Sequence, residues 1–320
     1  MQKKRIVIAL GGNALGDNLA EQMAAAKITA SAIVDLAEEG HEIAVVHGNG
    51  PQVGMINAAF DSAAKSSGFV QTLPMSVCVA LSQGYIGYDL QNTIRAEIDR
   101  RRLNRQVATI ITQVEVDPHD KAFENPSKPI GSFLSREDAD KLKALNIPVM
   151  EDSGRGWRQV VASPKPVHIV EAETIKAILA AGQIPIAVGG GGIPVKAGPD
   201  GQYRGVSAVI DKDLSASLLA GLIGADIFII LTAVEKVAIN FGKPEQKWLD
   251  TLTVAEAEKY INENQFGAGS MLPKIQAAIA FVKSGQACSS GDLRSPFALI
   301  TLLTKAKEGI AGKTGTRIAG

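Results

Sequence analysis

Short apolar segments that alternate with longer helical patterns constrain the fold of this chain most strongly. Five segments are rich in β-branched residues and continuously apolar, as is typical of strands buried on both faces: residues 6–10, 43–47, 107–112, 184–188 and 227–231. Helices are predicted between and after them, over residues 18–39, 75–102, 171–181, 211–223, 254–262 and 271–284. Strands separated by helices predict an α/β fold, with a mainly parallel sheet and helices on both of its faces.

One segment departs from this alternation. Residues 115–166 contain six of the fourteen prolines, are polar and show no clear strand–helix period. An interruption of this length is more typical of a protruding sub-domain or lid than of a plain loop. We therefore expect three parts, which are residues 1–114, the lid sub-domain 115–166, and residues 167–320.

Composition excludes several classes of protein. The 320 residues include 33 Lys and Arg and 33 Asp and Glu, so the formal net charge is zero and a polycation that binds nucleic acid is not expected. The two cysteines, Cys78 and Cys288, imply no disulfide framework. No apolar run approaches the roughly 18 residues of a membrane span. We expect a soluble cytoplasmic protein with small-molecule partners and no membrane or nucleic-acid partner.

Three glycine-rich turns follow predicted strands. They are Gly11-Gly12-Asn13, Gly48-Asn49-Gly50 and the run Gly189–Gly192. Ligands bind outside the carboxyl ends of the strands in open parallel sheets, and glycine lets backbone N–H groups approach an anion closely. Any one of these could be a tight turn alone, but the three together favour a shared anion site. Dinucleotide and P-loop signatures are incomplete in this sequence.

Three lysines stand in unusual places. Lys212 follows Asp211 at a predicted helix start, and Lys274 lies in the first turn of another helix, where a cation opposes the helix dipole. Lys128 lies between Pro126 and Pro129, which stiffen its segment. Each of the three lysines could simply point into solvent. Together with the glycine turns, however, they favour a site for phosphoryl transfer, which needs aligned substrates and positive charge around the group in transfer.

Two arginines of the predicted lid, Arg155 and Arg158, leave two interpretations open. They could recognise an anion or tie down the sub-domain.

The order of these motifs resembles that of the carbamate kinases, in the amino acid kinase superfamily. The resemblance covers residues 4 to 284 and resumes near Ala298, and the following segments carry it: Ala9-Leu-Gly-Gly-Asn-Ala14, His47-Gly-Asn-Gly-Pro-Gln-Val-Gly54, Asn125-Pro-Ser-Lys-Pro-Ile-Gly131, Gly154-Arg-Gly-Trp-Arg158, Ser163-Pro-Lys-Pro166, Gly189-Gly-Gly-Gly-Ile-Pro194, Val209-Ile-Asp-Lys-Asp213 and Gly269-Ser-Met-Leu-Pro-Lys274. The stretch from Gln286 to Pro296 looks longer than the corresponding link in that family.

The resemblance implies an open three-layer α/β/α sandwich, the amino acid kinase fold, with a small protruding sub-domain. It implies reversible phosphoryl transfer, ATP + carbamate ⇌ ADP + carbamoyl phosphate, with Mg²⁺ on the nucleotide. Residues 1–114 would hold carbamate or carbamoyl phosphate, and residues 167–320 the nucleotide. It also implies a homodimer and, in arginine or purine-derived fermentation, a reaction that runs toward ATP.

The same resemblance assigns roles to residues by their motifs. Carbamoyl phosphate would lie against Gly11, Gly12, Asn13, Gly48, Asn49 and Gly50. The catalytic group would comprise Lys128, Lys212, Asp211 and Lys274, in which Asp211 would hold the lysines or the metal. The nucleotide would lie near Gly191, Thr232, Ala233, Val234, Met271, Leu272 and Pro273. No protein metal site is expected, because Mg²⁺ would be held mainly by nucleotide phosphates.

Two other functions remain open at this stage. One is a sister kinase that phosphorylates another acidic substrate, such as an N-acyl amino acid. The other is a non-catalytic sensor of carbamoyl phosphate or nucleotide. ATP formation from ADP and carbamoyl phosphate would separate both from a carbamate kinase.

Overall fold

A computed structural model describes residues 3–11, 19–67, 71–152, 156–267, 269–288 and 296–320. The strands of this part are β1 (Arg5–Ala9), β2 (Glu42–Val46), β3 (Val107–Thr109), β4 (Gln113–Val116), β5 (Lys128–Leu134), β6 (Val149–Glu151), β7 (Trp157–Val161), β8 (Pro166–Ile169), β9 (Ile184–Ile186), β10 (Ile193–Ala197), β11 (Tyr203–Gly205), β12 (Ile227–Thr232), β13 (Val237–Ile239), β14 (Lys247–Leu249), β15 (Thr251–Thr253), β16 (Phe297–Leu302) and β17 (Thr316–Ala319). Its α-helices are α1 (Leu19–Glu38), α2 (Gly50–Ser67), α3 (Met75–Arg100), α4 (Arg136–Ala144), α5 (Ala172–Ala180), α6 (Lys212–Leu222), α7 (Val254–Asn262), α8 (Met271–Cys288) and α9 (Ala306–Ile310).

The main sheet has eight strands in the order β15-β17-β16-β12-β1-β2-β9-β3. Among the described strands of this sheet, the six from β16 to β3 pair in parallel, as do β15 and β17, and only the β16–β17 pairing is antiparallel. All five predicted strands lie side by side in this parallel part. The carboxyl ends of β1, β2, β9 and β12 therefore meet at one edge of the sheet.

Helices cover both faces of this sheet, which confirms the predicted sandwich. Along β1, Ile6 and Ile8 pack with α1 and α3, whereas Val7 and Ala9 pack on the opposite face with α5, α6 and α8. Strand side chains alternate between faces, so a strand buried on both sides has to be apolar at every position. That requirement explains the continuous apolar runs in the sequence.

Smaller sheets accompany the main one. The strands β11-β10-β4-β8 form a four-stranded sheet, β5-β7-β6 form a three-stranded antiparallel sheet, and β13 and β14 form a hairpin. The proline-rich segment supplies β5, α4, β6 and β7, while β4 and β8 at its ends belong to the four-stranded sheet. Division of the chain at residues 115 and 166 stays a prediction.

No helix in the described ranges is long and apolar enough to cross a membrane.

Helix α2 is the largest element that sequence reasoning missed. It begins at Gly50, directly inside a glycine turn, and continues through Pro51 in its first turn. Proline is tolerated there because the first N–H groups of a helix have no intrahelical acceptor. Strands β3 and β9 also end earlier than predicted, at Thr109 and Ile186.

Candidate active site

A cleft of about 190 Å³ lies at the carboxyl edge of the main sheet. It brings together all three lysines that the sequence singled out, Lys128, Lys212 and Lys274, although they are far apart along the chain. The rest of its lining is mostly glycine and short side chains: Gly48, Asn49, Gly50, Pro129, Gly190, Val209, Ile210, Asp211, Asp213, Gly269, Ser270 and Pro273. A small cleft with this lining suits a phosphorylated ligand.

Three helices begin at this cleft. Helix α2 begins at Gly50 and α6 at Lys212, and α8 begins at Met271, directly after the lining residues Gly269 and Ser270. The N-terminus of a helix carries a partial positive charge and free backbone N–H groups. Three such ends at one cleft favour a bound anion, in agreement with the lysines beside them.

Lys212 lies at the floor of the cleft. Its Nζ donates to the carbonyl oxygen of Leu10 at 2.5 Å and lies 3.4 Å from Oδ1 of Asp213. Burial lowers the pKa of Lys212 below its usual value, and the neighbouring carboxylates oppose that shift. The ammonium is therefore held next to the end of β1, with few solvent contacts.

Lys128 enters the cleft from β5, of which it is the first residue. Its Nζ lies 2.5 Å from Oδ2 of Asp211, across 83 residues of sequence. The other oxygen of Asp211 accepts hydrogen bonds from the backbone N–H groups of Asp213 and Leu214. Asp211 thus caps α6, as its place before the helix predicts, and also pairs with Lys128.

Asp213 was not predicted as a site residue, yet it joins the remaining two lysines. It is 3% exposed, accepts a hydrogen bond from Lys274 Nζ at 2.8 Å, and faces Lys212 with its other oxygen. Burial would raise the pKa of Asp213, but the charges of Lys212 and Lys274 outweigh burial and hold it far below its usual value. Asp213 is therefore ionised wherever the protein is folded at neutral pH.

The predicted glycines differ in their distance from the lysines. Gly48 lies beside Lys212, since a Cβ there would be in ordinary contact with Cδ of that lysine at 3.7 Å. Gly11 packs against the end of β12, where a Cβ would meet the carbonyl oxygen of Leu231 at 2.5 Å. Gly191 is buried behind the cleft, and its carbonyl oxygen accepts from Ser215 at 2.7 Å. Gly12 and Asn13 lie outside the described residues.

A buried polar network supports the glycine turns from behind. Asn49 Nδ2 donates to Ser82 Oγ at 2.9 Å, and Gln83 Nε2 donates to the carbonyl oxygens of Thr112 and Gly189. Sequence reasoning missed Ser82 and Gln83, because isolated polar residues on a helix look like solvent-facing positions. Their hydrogen bonds fix α3 to two of the three glycine turns, at Asn49 and at Gly189.

The residues predicted for the nucleotide occupy two places. Thr232 ends β12, and Val234 lies beside a second cavity of about 400 Å³ whose lining also includes Glu235, Lys236 and Trp248. Ala233 lies between them in the chain. Pro273 lines the lysine cleft, whereas Met271 and Leu272 pack against the core at the start of α8.

Arg158 fastens the three-stranded sheet β5-β7-β6, which we call the lid sheet because it lies within the predicted lid sub-domain. Its Nη2 donates to the carbonyl oxygen of Gly131 at 2.9 Å, and its Nη1 lies 3.2 Å from Asp152. Of the two interpretations, the geometry therefore favours a structural role for this arginine. Arg155 lies outside the described residues.

His47 lies beneath the cleft and gives the fold a pH dependence. The ring is 1% exposed, and its Nδ1 lies 2.8 Å from the carbonyl oxygen of Gly48, so the neutral ring donates from Nδ1. Burial lowers the pKa of His47 from 6.5 to about 4, and the charge of Lys212 acts in the same direction. Between pH 6.5 and about pH 4, the His47 ring therefore binds a proton in the unfolded state but not in the folded state. The free energy of unfolding therefore falls as the pH drops from 6.5 toward 4.

We expect the His47→Gln variant to lose this part of the acid sensitivity. Between about pH 7.5 and about pH 5, the free energy of unfolding should fall by about 2 kcal/mol more in the unsubstituted protein than in the variant. Urea unfolding at both pH values measures this difference. His168, which is exposed, supplies the control variant His168→Gln. An equal pH dependence in His47→Gln and the unsubstituted protein would contradict the assignment.

Comparison with known proteins finds relatives that match almost the whole chain. The sequence profile of the Amino acid kinase family matches residues 4–289. The Carbamate kinase-like protein YqeA of Escherichia coli (strain K12) is 60% identical over 316 residues, which cover 98% of this chain and 99% of the relative. The Carbamate kinase of Clostridium perfringens is 50% identical over 320 residues, again 98% of this chain and 99% of the relative.

Solved structures show the same architecture. Carbamate kinase from Giardia lamblia bound to AMP-PNP superimposes with a TM-score of 0.87 at 38% identity, and the form bound to citric acid with 0.90 at 38%. Both comparisons cover 99% of this chain and 99% of the other. By its sequence profile, its relatives and its fold, this chain belongs to the amino acid kinase family.

Proposed function

We propose that this chain is a carbamate kinase, which catalyses ATP + carbamate ⇌ ADP + carbamoyl phosphate. Relatives named carbamate kinase match almost the whole chain at 45% to 50% identity. The observation that carries the proposal is the convergence of Lys128, Lys212 and Lys274 on one cleft lined by glycine backbone and three helix N-termini. That cleft provides the positive charge and alignment that phosphoryl transfer requires.

The reaction moves one phosphoryl group between two oxyanions. Toward carbamoyl phosphate, a carbamate oxygen attacks the γ-phosphorus of ATP, and the bond from that phosphorus to the β,γ-bridging oxygen breaks, which releases ADP. Negative charge builds up on the equatorial oxygens and on both in-line oxygens. Carbamate is already an anion, so the protein needs no general base. Its task is electrostatic stabilisation and positioning.

The three lysines have distinct tasks in this proposal. Lys212, at the floor between the strand ends, contacts the group in transfer. Lys274, at the start of α8, faces the nucleotide phosphates, and Lys128 approaches carbamoyl phosphate from the lid sheet. Asp211 and Asp213 fix the positions of these ammonium groups through the contacts at 2.5 Å and 2.8 Å.

The two substrates occupy opposite sides of Lys212. Carbamoyl phosphate lies against the turn Gly48-Asn49-Gly50, where backbone N–H groups can reach its oxygens. The contacts of Gly11, Gly12 and Asn13 with it stay predictions from the resemblance. The nucleotide extends toward Thr232, Ala233 and Val234 at the end of β12, beyond Pro273. A carbamate kinase from Giardia lamblia with similar architecture has been solved bound to AMP-PNP, which supports the use of an adenine nucleotide.

The residues fit a magnesium ion that arrives with the nucleotide. Within the described ranges no group of three or more His, Cys, Asp or Glu could hold a metal by itself. Mg²⁺ bound to ATP takes most of its ligands from phosphates and water, and needs only one or two carboxylates. Asp211 in the cleft lining would supply such a carboxylate. Mg²⁺ would neutralise phosphate charge when bound; the lysines orient the phosphates in either case.

A coupled assay of ATP formation tests this function. The purified protein, given ADP, Mg²⁺ and carbamoyl phosphate, should produce ATP, which hexokinase and glucose-6-phosphate dehydrogenase report as NADPH. Acetyl phosphate serves as the comparison donor and should give a much lower kcat/KM. A preference for acetyl phosphate would indicate another acidic acceptor, and no ATP from either donor would contradict a carbamate kinase.

The remaining expectations stay predictions. A homodimer is supported by one face of α3, where Val77, Leu81 and Tyr88 are 41%, 44% and 66% exposed. The cytoplasmic location stays an expectation from the sequence, and the physiological direction toward ATP is implied by the family resemblance alone.

A further inference from the structure

Two glycine backbones touch where the lid sheet meets the main body. Gly54 lies in α2 and Gly131 in β5, and a Cβ on Gly54 would lie 2.1 Å from the backbone nitrogen of Gly131 and 2.2 Å from its Cα. Ordinary carbon contacts are about 3.5–4.0 Å. Any side chain at residue 54 would therefore push β5 away from α2.

Arg158 holds the other side of this contact. Its guanidinium donates to the carbonyl oxygen of Gly131 at 2.9 Å, is paired with Asp152, and lies 5.4 Å from the ring centre of Phe133. Gly131 has a φ of +71°, and the pairing of β5 with β7 is irregular between Ile130 and Leu134. Arg158 thus fixes an unusual backbone conformation at the point where β5 meets α2.

This contact lies next to the lid lysine. Lys128 begins the same strand, three residues before Gly131, which is about 10 Å of extended chain. Between them, Ile130 is 1% exposed and packs in a small apolar cluster with Val53 of α2 and Val209. Val209 precedes Asp211, the partner of Lys128, by two residues. The cluster therefore holds both members of the Lys128–Asp211 pair.

We propose that Gly54 and Arg158 are positioning residues for Lys128: the contact between Gly54 and Gly131, held by Arg158, sets how far the Lys128 ammonium reaches into the cleft. This inference rests on the proposed function for its kinetic consequence only. A shift of β5 by about 1 Å at Gly131 would move Lys128 away from Asp211, and misplacement of that size can cost about a hundred-fold in rate.

The first test is the Gly54→Ala variant, combined with Lys128→Ala in a double-mutant cycle. We expect Gly54→Ala to lower kcat/KM for carbamoyl phosphate by about ten- to a hundred-fold. In the Lys128→Ala background the same change should lower it by less than about two-fold, because the group that it displaces is absent. The matched control Ala58→Ser adds one atom on the exposed face of the same helix and should keep the full rate.

A second readout does not depend on turnover. Lys128 pairs with Asp211 and its side chain is 29% exposed, so it should react slowly with an acetylating reagent in the unsubstituted protein. In Gly54→Ala we expect its acetylation, measured by mass spectrometry, to accelerate several-fold, while Lys259 on the surface of α7 stays unchanged. If the unsubstituted protein formed no ATP, the proposed function would fail, but this labelling would still report the position of Lys128.

Arg158→Gln provides the test from the lid side, should Gly54→Ala fail to fold. It removes the guanidinium that donates to the carbonyl oxygen of Gly131, without adding an atom between α2 and β5. We expect the same non-additivity with Lys128→Ala and the same faster acetylation of Lys128. The proposal is overturned if both variants label Lys128 at the original rate, or if their losses multiply fully with that of Lys128→Ala.

Discussion

Replacement of Lys212 by methionine is expected to lower kcat for ATP formation by about a thousand-fold while the fold stays intact. Methionine keeps most of the apolar length of the side chain but removes the ammonium that lies between the strand ends and Asp213. In the transition state no other described cation is placed at that floor position, since Lys128 and Lys274 approach from β5 and α8. The loss should therefore appear in kcat more than in KM.

Folding controls accompany this measurement. Lys212 is desolvated, so its removal takes away an unfavourable burial as well as its ion pair with Asp213, and the melting temperature should change by only a few degrees. Lys259→Met, at a lysine whose side chain is 68% exposed, should retain the original rate. If Lys212→Met keeps kcat within about three-fold of the unsubstituted enzyme, Lys212 does not stabilise the transferred group as proposed.

The sequence predicts the layers of this fold better than its connections. Residues such as Ile6 and Val7 are apolar in succession because opposite faces of β1 are both buried, and that pattern is visible without coordinates. Strands of three residues, such as β6 and β11, are too short to carry a period. The start of α2 at Gly50 is hidden, because glycine followed by proline is also the signature of a turn.

The sequence could predict those site residues whose charge is unfavourable at their own position in a helix. A lysine at a helix start, as at Lys212, opposes the dipole and so indicates an anion nearby. Asp213 has no such conflict, since an acidic residue in the first turn of α6 is what the dipole favours, and nothing in the sequence shows that it lies between two lysines. Likewise, only coordinates could show that the backbones of Gly54 and Gly131 touch.

Asp213 is the second position where a single change should have a large effect. We expect Asp213→Asn to lower kcat by about a hundred-fold at pH 8 and the free energy of unfolding by about 3 kcal/mol, since it leaves buried ammonium groups without their shared counter-charge. Asparagine has nearly the same shape, so the loss is electrostatic. Asp250→Asn removes the same charge from a carboxylate whose side chain is 78% exposed, and should change neither quantity noticeably.

The pH dependence separates this explanation from a simple packing defect. Burial already lowers the pKa of Lys212, and the charge of Asp213 opposes that shift most strongly. Without the carboxylate the pKa of Lys212 falls further, so the ammonium is lost at a lower pH and the alkaline limb of the kcat profile moves toward acid. The deficit of Asp213→Asn should therefore shrink as the pH falls from about 8 toward about 6. A deficit that is the same at every pH would mean that Asp213 acts by holding shape, not by keeping Lys212 charged.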